Sequence, residues 1–280
     1  MDFPYIDPVI VSIGPLAIRW YGLTYLAGLA AVYFLGSYRI KRPDVNWNQE
    51  ELSDFIFYAF LGVFLGGRIG YVLFYNFPVF LDNPLYLFKV WEGGMAFHGG
   101  LLGVLIAFYY FAKKTKKRYF EVADFIAPFV PIGLGMGRIG NFINGELWGR
   151  PVADPELPWA MRFACDPIKA PWYHGCDPEA LLRHPSQIYQ ALLEGLVLFL
   201  ILYLFSMKKR PLMSVSGLFL FFYGSFRFFV EYFRQWDSQL GLFWGGSVSM
   251  GQILSLPMII IGLAMFIWAY RREAKQKAAS

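Results

Sequence analysis

The chain has 280 residues, of which 57% are hydrophobic, 20% aromatic and only 16% charged, with a mean hydropathy of +0.42. A soluble domain is nearer half apolar and a quarter charged, so the composition excludes an ordinary soluble enzyme and points to a membrane protein. The formal net charge of +5 would suit nucleic acid, but the basic residues gather in short loops between apolar runs, which excludes that partner and makes the charge a topology signal.

The first twenty residues lack a basic leader region and carry Asp2 and Asp7, so no signal peptide is expected. Seven apolar spans follow, near 16–37, 54–74, 93–112, 121–142, 186–206, 214–234 and 248–270. Each has about the 20 residues needed to cross a bilayer core. The fourth is interrupted by Pro128, Pro131 and several glycines, breaks that are tolerated where a helix faces protein or a cavity. Between the fourth and fifth spans lies the long segment 143–185, rich in Pro, Asp and Trp, which reads as a small folded cap. It holds both cysteines, Cys165 and Cys176, either paired on an oxidising side of the membrane or two free thiols. The expected architecture is an all-α polytopic membrane protein of seven transmembrane helices, a single domain over 1–280 with 143–185 as an inserted head and 271–280 as a tail.

Fifteen of the 25 lysines and arginines fall in the segments 38–53, 113–120, 207–213 and the tail, all on one side of such a seven-span chain. By the positive-inside rule that side is cytoplasmic, which puts the N-terminus outside and the C-terminus inside. Depth then follows from position along each span. Arg138 is about four residues from the outer end of span 4, roughly 6 Å. Arg227, Arg68, His98 and Tyr21 also fall in the outer half of their spans, and Gln187, Gln190 and Glu194 share one face of span 5 by their 3,4 spacing. Scattered structural polar groups would not sort this way, whereas a polar cavity opening to the outer leaflet would.

In span 6, Tyr223, Arg227, Glu231 and Arg234 form one stripe on a helix otherwise crowded with phenylalanine. Arg227 and Glu231 can pair at i,i+4. A structural ion pair that glues helices is the plain alternative. With Arg138 and Arg68 at matching depth, however, three guanidiniums share a leaflet with few nearby carboxylates. An intramembrane arginine costs roughly 2.5–3.5 kcal/mol on insertion scales. Surplus positive charge there points to an anion, and planar forked donors suit phosphate. His98, flanked by Gly99 and Gly100 at the cavity's depth, is a candidate base rather than a merely structural histidine. His98, His174 and His184 have no metal-ligand spacing, so no metal is expected.

The densest stretch is Gly137-Arg138-Ile139-Gly140-Asn141-Phe142-Ile143-Asn144-Gly145-Glu146-Leu147-Trp148-Gly149. It resembles the G-R-x-G-N-F-x-N-x-E-x-x-G pattern of bacterial prolipoprotein diacylglyceryl transferases at every specified position. Ile18-Arg19-Trp20-Tyr21-Gly22, Phe97-His98-Gly99-Gly100-Leu101, Arg183-His184-Pro185-Ser186-Gln187 and the run Tyr223 to Glu231 extend the resemblance over essentially the whole chain.

The resemblance implies a transferase of the bacterial inner membrane with a periplasmic cap. It would move the diacylglyceryl group of phosphatidylglycerol to the lipobox cysteine thiol of a prolipoprotein signal peptide. A thioether forms and glycerol phosphate leaves, the first step of lipoprotein maturation. No cofactor is implied, and the chain is expected to act as a monomer. The residues fit that chemistry. The thiol belongs to the substrate, so no catalytic cysteine is needed. The departing group is already a stable anion, so charge stabilisation outweighs general acid catalysis. Arg138 and Arg227 suit the phosphate, with Arg68 nearby in depth. Asn141, Asn144, Glu146 and Gly149 suit the headgroup or peptide, and Tyr21 and Tyr223 the lipid or phosphate oxygens. His98 is the first candidate base, with Glu231 and Glu146 as rivals. The rival class is a transporter or flippase of an anionic lipid, which would share the arginines and broken helices. The outward displacement of the polar set and the apolar seventh span favour an enzyme facing one leaflet.

Overall fold

The computed structural model describes residues 1–14, 16–166, 168, 170–173, 176–236, 242–243 and 248–279. Its chain is mostly helical, and helices stand at all seven predicted spans. Among the described residues, three helices are long and apolar enough to cross a membrane by themselves: Gln49–Tyr75, Ser186–Phe205 and Met250–Ala279. A fourth is added if the pair Tyr119–Ile126 and Val130–Ile143, bent by 48°, counts as one span. The bend falls where Pro128 and Pro131 remove backbone donors, as the sequence signals.

Several boundaries differ from the sequence reading, each for a local reason. The first span does not begin at 16: β1 (Val9–Ile13) and β2 (Leu16–Arg19) form an antiparallel hairpin, and α1 (Trp20–Ile40) starts after it. Helix α2 (Gln49–Tyr75) begins five residues before the apolar run, because Asn48 and Glu51 make a reciprocal capping box. The short α3 (Phe77–Asp82) and two 3₁₀ turns, Pro84–Phe88 and Val90–Glu92, precede α4 (Phe97–Lys114). The start of α4 is delayed past 93 because Gly93 and Gly94 take left-handed φ values of 79° and 85°. Then come α5 (Tyr119–Ile126), α6 (Val130–Ile143) and two short antiparallel pairs, β3 (Met161–Arg162) with β4 (Leu182–Arg183), and β5 (Leu242–Phe243) with β6 (Val248–Ser249). The fifth predicted span is one continuous run of α7 (Ser186–Gln190), a π-helical turn (Ala191–Val197) and α8 (Leu198–Phe205). Helices α9 (Ser214–Val230) and α10 (Met250–Ala279) complete the chain.

The chain divides into two compact units, residues 33–125 and residues 1–32 with 126–280. In the first, α2 and α4 meet backbone to backbone. A Cβ at Gly70 would lie 2.8 Å from the Gly99 Cα, so only glycine permits that approach. Trp47 stacks on Phe125 at 4.1 Å and on Phe111 at 5.2 Å. In the second unit, Ala127, Leu198, Leu202 and Val215 form an apolar core with Phe205, Phe219 and Phe222 against it. Helix α6 touches the π-helical turn at Gly135, whose missing Cβ would lie 3.0 Å from the Gly195 Cα. The predicted cap has its own small core of Phe3, Phe163, Ala170 and Tyr173, with Phe142 and Trp148 packed on it. Phe3 reaches it from the N-terminal end and donates its amide to the Arg162 carbonyl at 2.9 Å. Cys165 and Cys176 are joined as a disulfide. Asp177 and Arg183 make a buried bidentate pair, with contacts of 2.6 and 3.0 Å.

Candidate active site

The end of α6 folds back on itself through residues that the sequence places in one run. Asn141 lies one turn beyond Arg138, so the Arg138 Nη1 donates to the Asn141 Oδ1 at 3.4 Å. The Asn141 and Asn144 amides both donate to one oxygen of Glu146, at 2.8 and 3.2 Å. Glu146 reaches back because it is flanked by two left-handed residues, Gly145 at φ 68° and Leu147 at φ 57°. Three consecutive carbonyls of this turn are each bound by a different side chain. The Tyr173 hydroxyl donates to Gly145 at 2.7 Å. The Gln187 amide donates to Glu146 at 2.7 Å, and the Ser186 hydroxyl to Leu147 at 3.1 Å.

Gly149 closes the run in a crowded place. Its amide donates to the His184 carbonyl at 2.9 Å, and the Arg150 amide to Phe233 at 2.8 Å. A Cβ at Gly149 would lie 2.5 Å from both the His184 and the Phe233 carbonyl oxygens. The signature stretch is thereby tied to the turn after α9, which carries Glu231 and Arg234. His184 itself packs on Phe233 with ring centroids 5.1 Å apart and meets the Tyr189 hydroxyl at 3.1 Å through its Nδ1. Burial lowers the pKa of that imidazole below its ordinary value.

Tyr21, at the start of α1, lies against Gly140, where a Cβ would come within 2.7 Å of its ring. Its hydroxyl is 3.2 Å from that of Tyr25. Tyr21 feels the charges of Glu146 and Arg138, and Tyr223 feels those of Glu194, Arg227 and Arg138, so both belong to the same electrostatic cluster.

The arginines are not equivalent. Arg227 is held between two buried carboxylates, 2.9 Å from Glu231 and 3.9 Å from Glu194. The i,i+4 pairing read from the sequence is present, but Glu194, from the π-helical turn, joins it. Arg234 shares Glu231 at 3.4 Å. Glu231 takes a seat that only glycine allows, since a Cβ at Gly251 would lie 2.6 Å from its carboxyl carbon. Arg138 has only the neutral Asn141 side chain as a hydrogen-bond partner among the described residues.

Among the described residues, buried polar atoms without a hydrogen-bond partner include the Asn144 Oδ1, the Gln187 Oε1, both amide atoms of Gln190, both carboxylate oxygens of Glu194, the Glu231 Oε2, the Arg227 Nη1 and the Arg234 Nε. The sequence puts Gln187, Gln190 and Glu194 on one face without giving them a role. The signal available was three polar side chains sharing one face of an otherwise apolar run.

The remaining candidates belong to the other unit. His98 is exposed near the start of α4, its ring edge-on to Phe97 at 5.6 Å. Arg68 is buried and donates to the carbonyls of Tyr86 (2.6 Å), Leu87 (3.0 Å), Lys89 (3.1 Å), Gly93 (2.5 Å) and Gly94 (3.3 Å). Its guanidinium lies 4.8 Å from the centre of the Tyr86 ring. These contacts engage its fork in holding the loop before α4. His174 lies outside the described residues.

A family model described as prolipoprotein diacylglyceryl transferase matches residues 8–268. Among curated relatives, the phosphatidylglycerol–prolipoprotein diacylglyceryl transferase of Sodalis glossinidius is 58% identical, over 99% of this chain and 97% of its own length. Those of Erwinia tasmaniensis (57% identical, over 99% and 97%) and Proteus mirabilis (55%, over 98% and 95%) are similar through the same extent. A match of this length and identity leaves one conclusion: the chain belongs to the prolipoprotein diacylglyceryl transferase family.

Proposed function

We propose that the chain transfers the diacylglyceryl group of phosphatidylglycerol to the lipobox cysteine of a prolipoprotein signal peptide. The cysteine sulfur attacks the glyceryl carbon bearing the phosphate. A carbon–sulfur bond forms, the carbon–oxygen bond breaks, and glycerol phosphate leaves with the electron pair. The thiol gives its proton to a base. Attack requires the thiolate, and a free thiol has a pKa of about 8.5.

The observation that carries this reading is the environment of Arg138. A guanidinium whose hydrogen-bond partner is a neutral amide stands beside buried acceptors that lack donors. An anionic lipid whose headgroup carries hydroxyls answers both needs, because phosphate takes the fork and hydroxyls donate to the Asn144, Gln187, Gln190 and Glu194 oxygens. Arg138 thus binds the phosphate, and Glu146 orients Asn141 and Asn144. Arg227, braced by Glu231 and Glu194, adds positive potential where the leaving oxygen gains charge. Tyr21 and Tyr223 flank the phosphate, and Gly149 keeps the two halves of the site in register. Arg68 holds the loop before α4 through its carbonyls. His98 is the first candidate for the base, with Glu231 and Glu146 as its rivals.

The architecture in this reading has seven transmembrane helices, with the cap and N-terminus periplasmic and the C-terminus cytoplasmic, in the bacterial inner membrane. The disulfide supports placing the cap on an oxidising side, and the basic loops support the orientation. The enzyme acts as a monomer with no nucleic-acid partner.

The test is transfer of radiolabelled glycerol from phosphatidylglycerol to a lipobox peptide by purified protein, with Arg138→Ala and Arg138→Lys beside the wild type. The wild type is expected to label the peptide and both variants to fail while remaining folded, since a point charge does not replace a fork. Wild-type turnover by Arg138→Ala would overturn the assignment.

A further inference from the structure

We propose that Tyr173 is a positioning residue for the transfer reaction, and that the Cys165–Cys176 disulfide, by closing the loop that carries it, makes the site sensitive to reduction. The proposal rests on the reading of Asn141, Asn144 and Glu146 given above. Glu146 points at the two asparagines only because the chain reverses between Gly145 and Leu147, both left-handed. A leucine in that conformation is strained and persists only where its surroundings hold it. The holding contacts are the three carbonyl hydrogen bonds from Tyr173, Gln187 and Ser186. Gln187 and Ser186 come from α7, beside the site. Tyr173 comes from the cap and packs close, since a Cβ at Gly145 would run into its ring.

Tyr173 is itself buried, packed on Phe3 at 5.4 Å and on Tyr5 at 6.2 Å. It sits three residues before Cys176, inside the loop that Cys165–Cys176 closes. Cys165 is exposed, so a reductant can reach the bond. A dithiol would deliver two electrons and two protons, leaving two cysteine thiols and its own cyclic disulfide. The base of the loop has other ties. The Asp177 amide donates to the Phe163 carbonyl at 2.6 Å, and Asp177 pairs with the buried Arg183. Reduction therefore loosens the loop carrying Tyr173 while the rest of the cap stays folded.

The experiment compares wild type, Tyr173→Phe, Tyr173→Ala and the double variant Cys165→Ser/Cys176→Ser in the peptide-labelling assay, with kcat, KM for the peptide and thermal midpoint read for each. Because the peptide is itself a thiol, enzyme is reduced with dithiothreitol, capped with iodoacetamide and cleared of both reagents before substrate is added. Tyr173→Phe is expected to lose roughly tenfold in kcat, the worth of one hydrogen bond of about 1.4 kcal/mol, with KM within about twofold and the midpoint little changed. Tyr173→Ala loses more. Reduced and capped wild type falls to the level of the double variant, which does not respond to the treatment. Wild-type kcat in Tyr173→Phe, or equal activity of oxidised and reduced wild type, overturns the inference alone. A lowered midpoint with unchanged kcat does the same, since it marks a structural role only. No transfer by untreated wild type overturns the functional reading and this inference with it.

Discussion

Gly149→Ala tests how the two halves of the site are joined. The added Cβ would lie 2.5 Å from two carbonyl oxygens, His184 and Phe233, whereas ordinary contact begins at 3.4 Å. Both obstacles are backbone, so neither swings aside as a side chain would. Relieving about 0.9 Å on each side must part the signature stretch from His184, from the turn carrying Arg234, or from both. Overpacking of this kind costs roughly 1–3 kcal/mol, and the upper end applies because two rigid neighbours oppose it. At about 2–3 °C per kcal/mol, the thermal midpoint should fall by roughly 6–9 °C. The kinetic effect should be larger. A misplacement near 1 Å between reacting groups costs on the order of 100-fold, and here it separates Arg138 from Arg227, Glu231 and Arg234. The assay is peptide labelling beside a detergent melt, with Gly149→Ser as a second, slightly larger probe. Gly149→Ala at the wild-type rate with an unchanged midpoint would refute the reasoning, because the crowding would then be relieved without consequence.

Glu231→Gln should cost roughly 3–5 kcal/mol, as a buried charge network losing one partner does, because the carboxylate serves Arg227 at 2.9 Å and Arg234 at 3.4 Å and is 2% exposed. An unchanged melting midpoint would count against that network. Asp177→Asn addresses pH dependence. Burial alone would raise the Asp177 carboxyl, but Arg183 and the Leu181 and Glu179 amides outweigh it and hold it below its ordinary value. A depressed folded-state pKa means that the stabilisation is complete above the unfolded value of about 3.9 and is lost as pH falls through the folded one. Wild-type stability should therefore drop below about pH 4, and Asp177→Asn should start lower at neutral pH and lack that part of the drop. Parallel curves for the two proteins would contradict the assignment. His98→Gln should slow transfer at pH 7, with the deficit narrowing toward pH 9 as the substrate thiol ionises unaided. A deficit independent of pH would remove His98 as the base.

Interactions within one turn of helix were legible in the sequence. Arg138 with Asn141 at i,i+3 and Arg227 with Glu231 at i,i+4 are consequences of helical spacing alone. The Asn48–Glu51 capping box, which sets the true start of α2, was not part of the reading, because the apolar run begins only at 54. Contacts between distant segments were not legible. Nothing in local spacing brings Glu194 to Arg227, so the charge surplus inferred at Arg227 is partly neutralised in the fold. The π-helical turn that carries Glu194 has no pattern of its own. Arg68 is instructive in the other direction. Its expected depth matches that of Arg138, and Gly67-Arg68-Ile69-Gly70 repeats Gly137-Arg138-Ile139-Gly140, yet one guanidinium holds a loop by its carbonyls and the other does not. Composition cannot separate those uses, because backbone carbonyls are invisible in it.

The place of Phe3 in the cap core sets an order of events during synthesis. Its partners, Phe142, Phe163 and Tyr173, lie about 140–170 residues downstream. At about 5–20 residues per second, roughly 10–30 s pass between the emergence of the two sides. Through that interval Phe3 has Tyr5 beside it but lacks Phe142, Phe163 and Tyr173, while the helices up to α6 are being made. This small core is thus closed late in synthesis, by residues from both ends of a long, mostly helical stretch of chain. A chain stalled just before residue 163 would carry the whole signature stretch but lack the packing of Phe163, Ala170 and Tyr173 that anchors its far side.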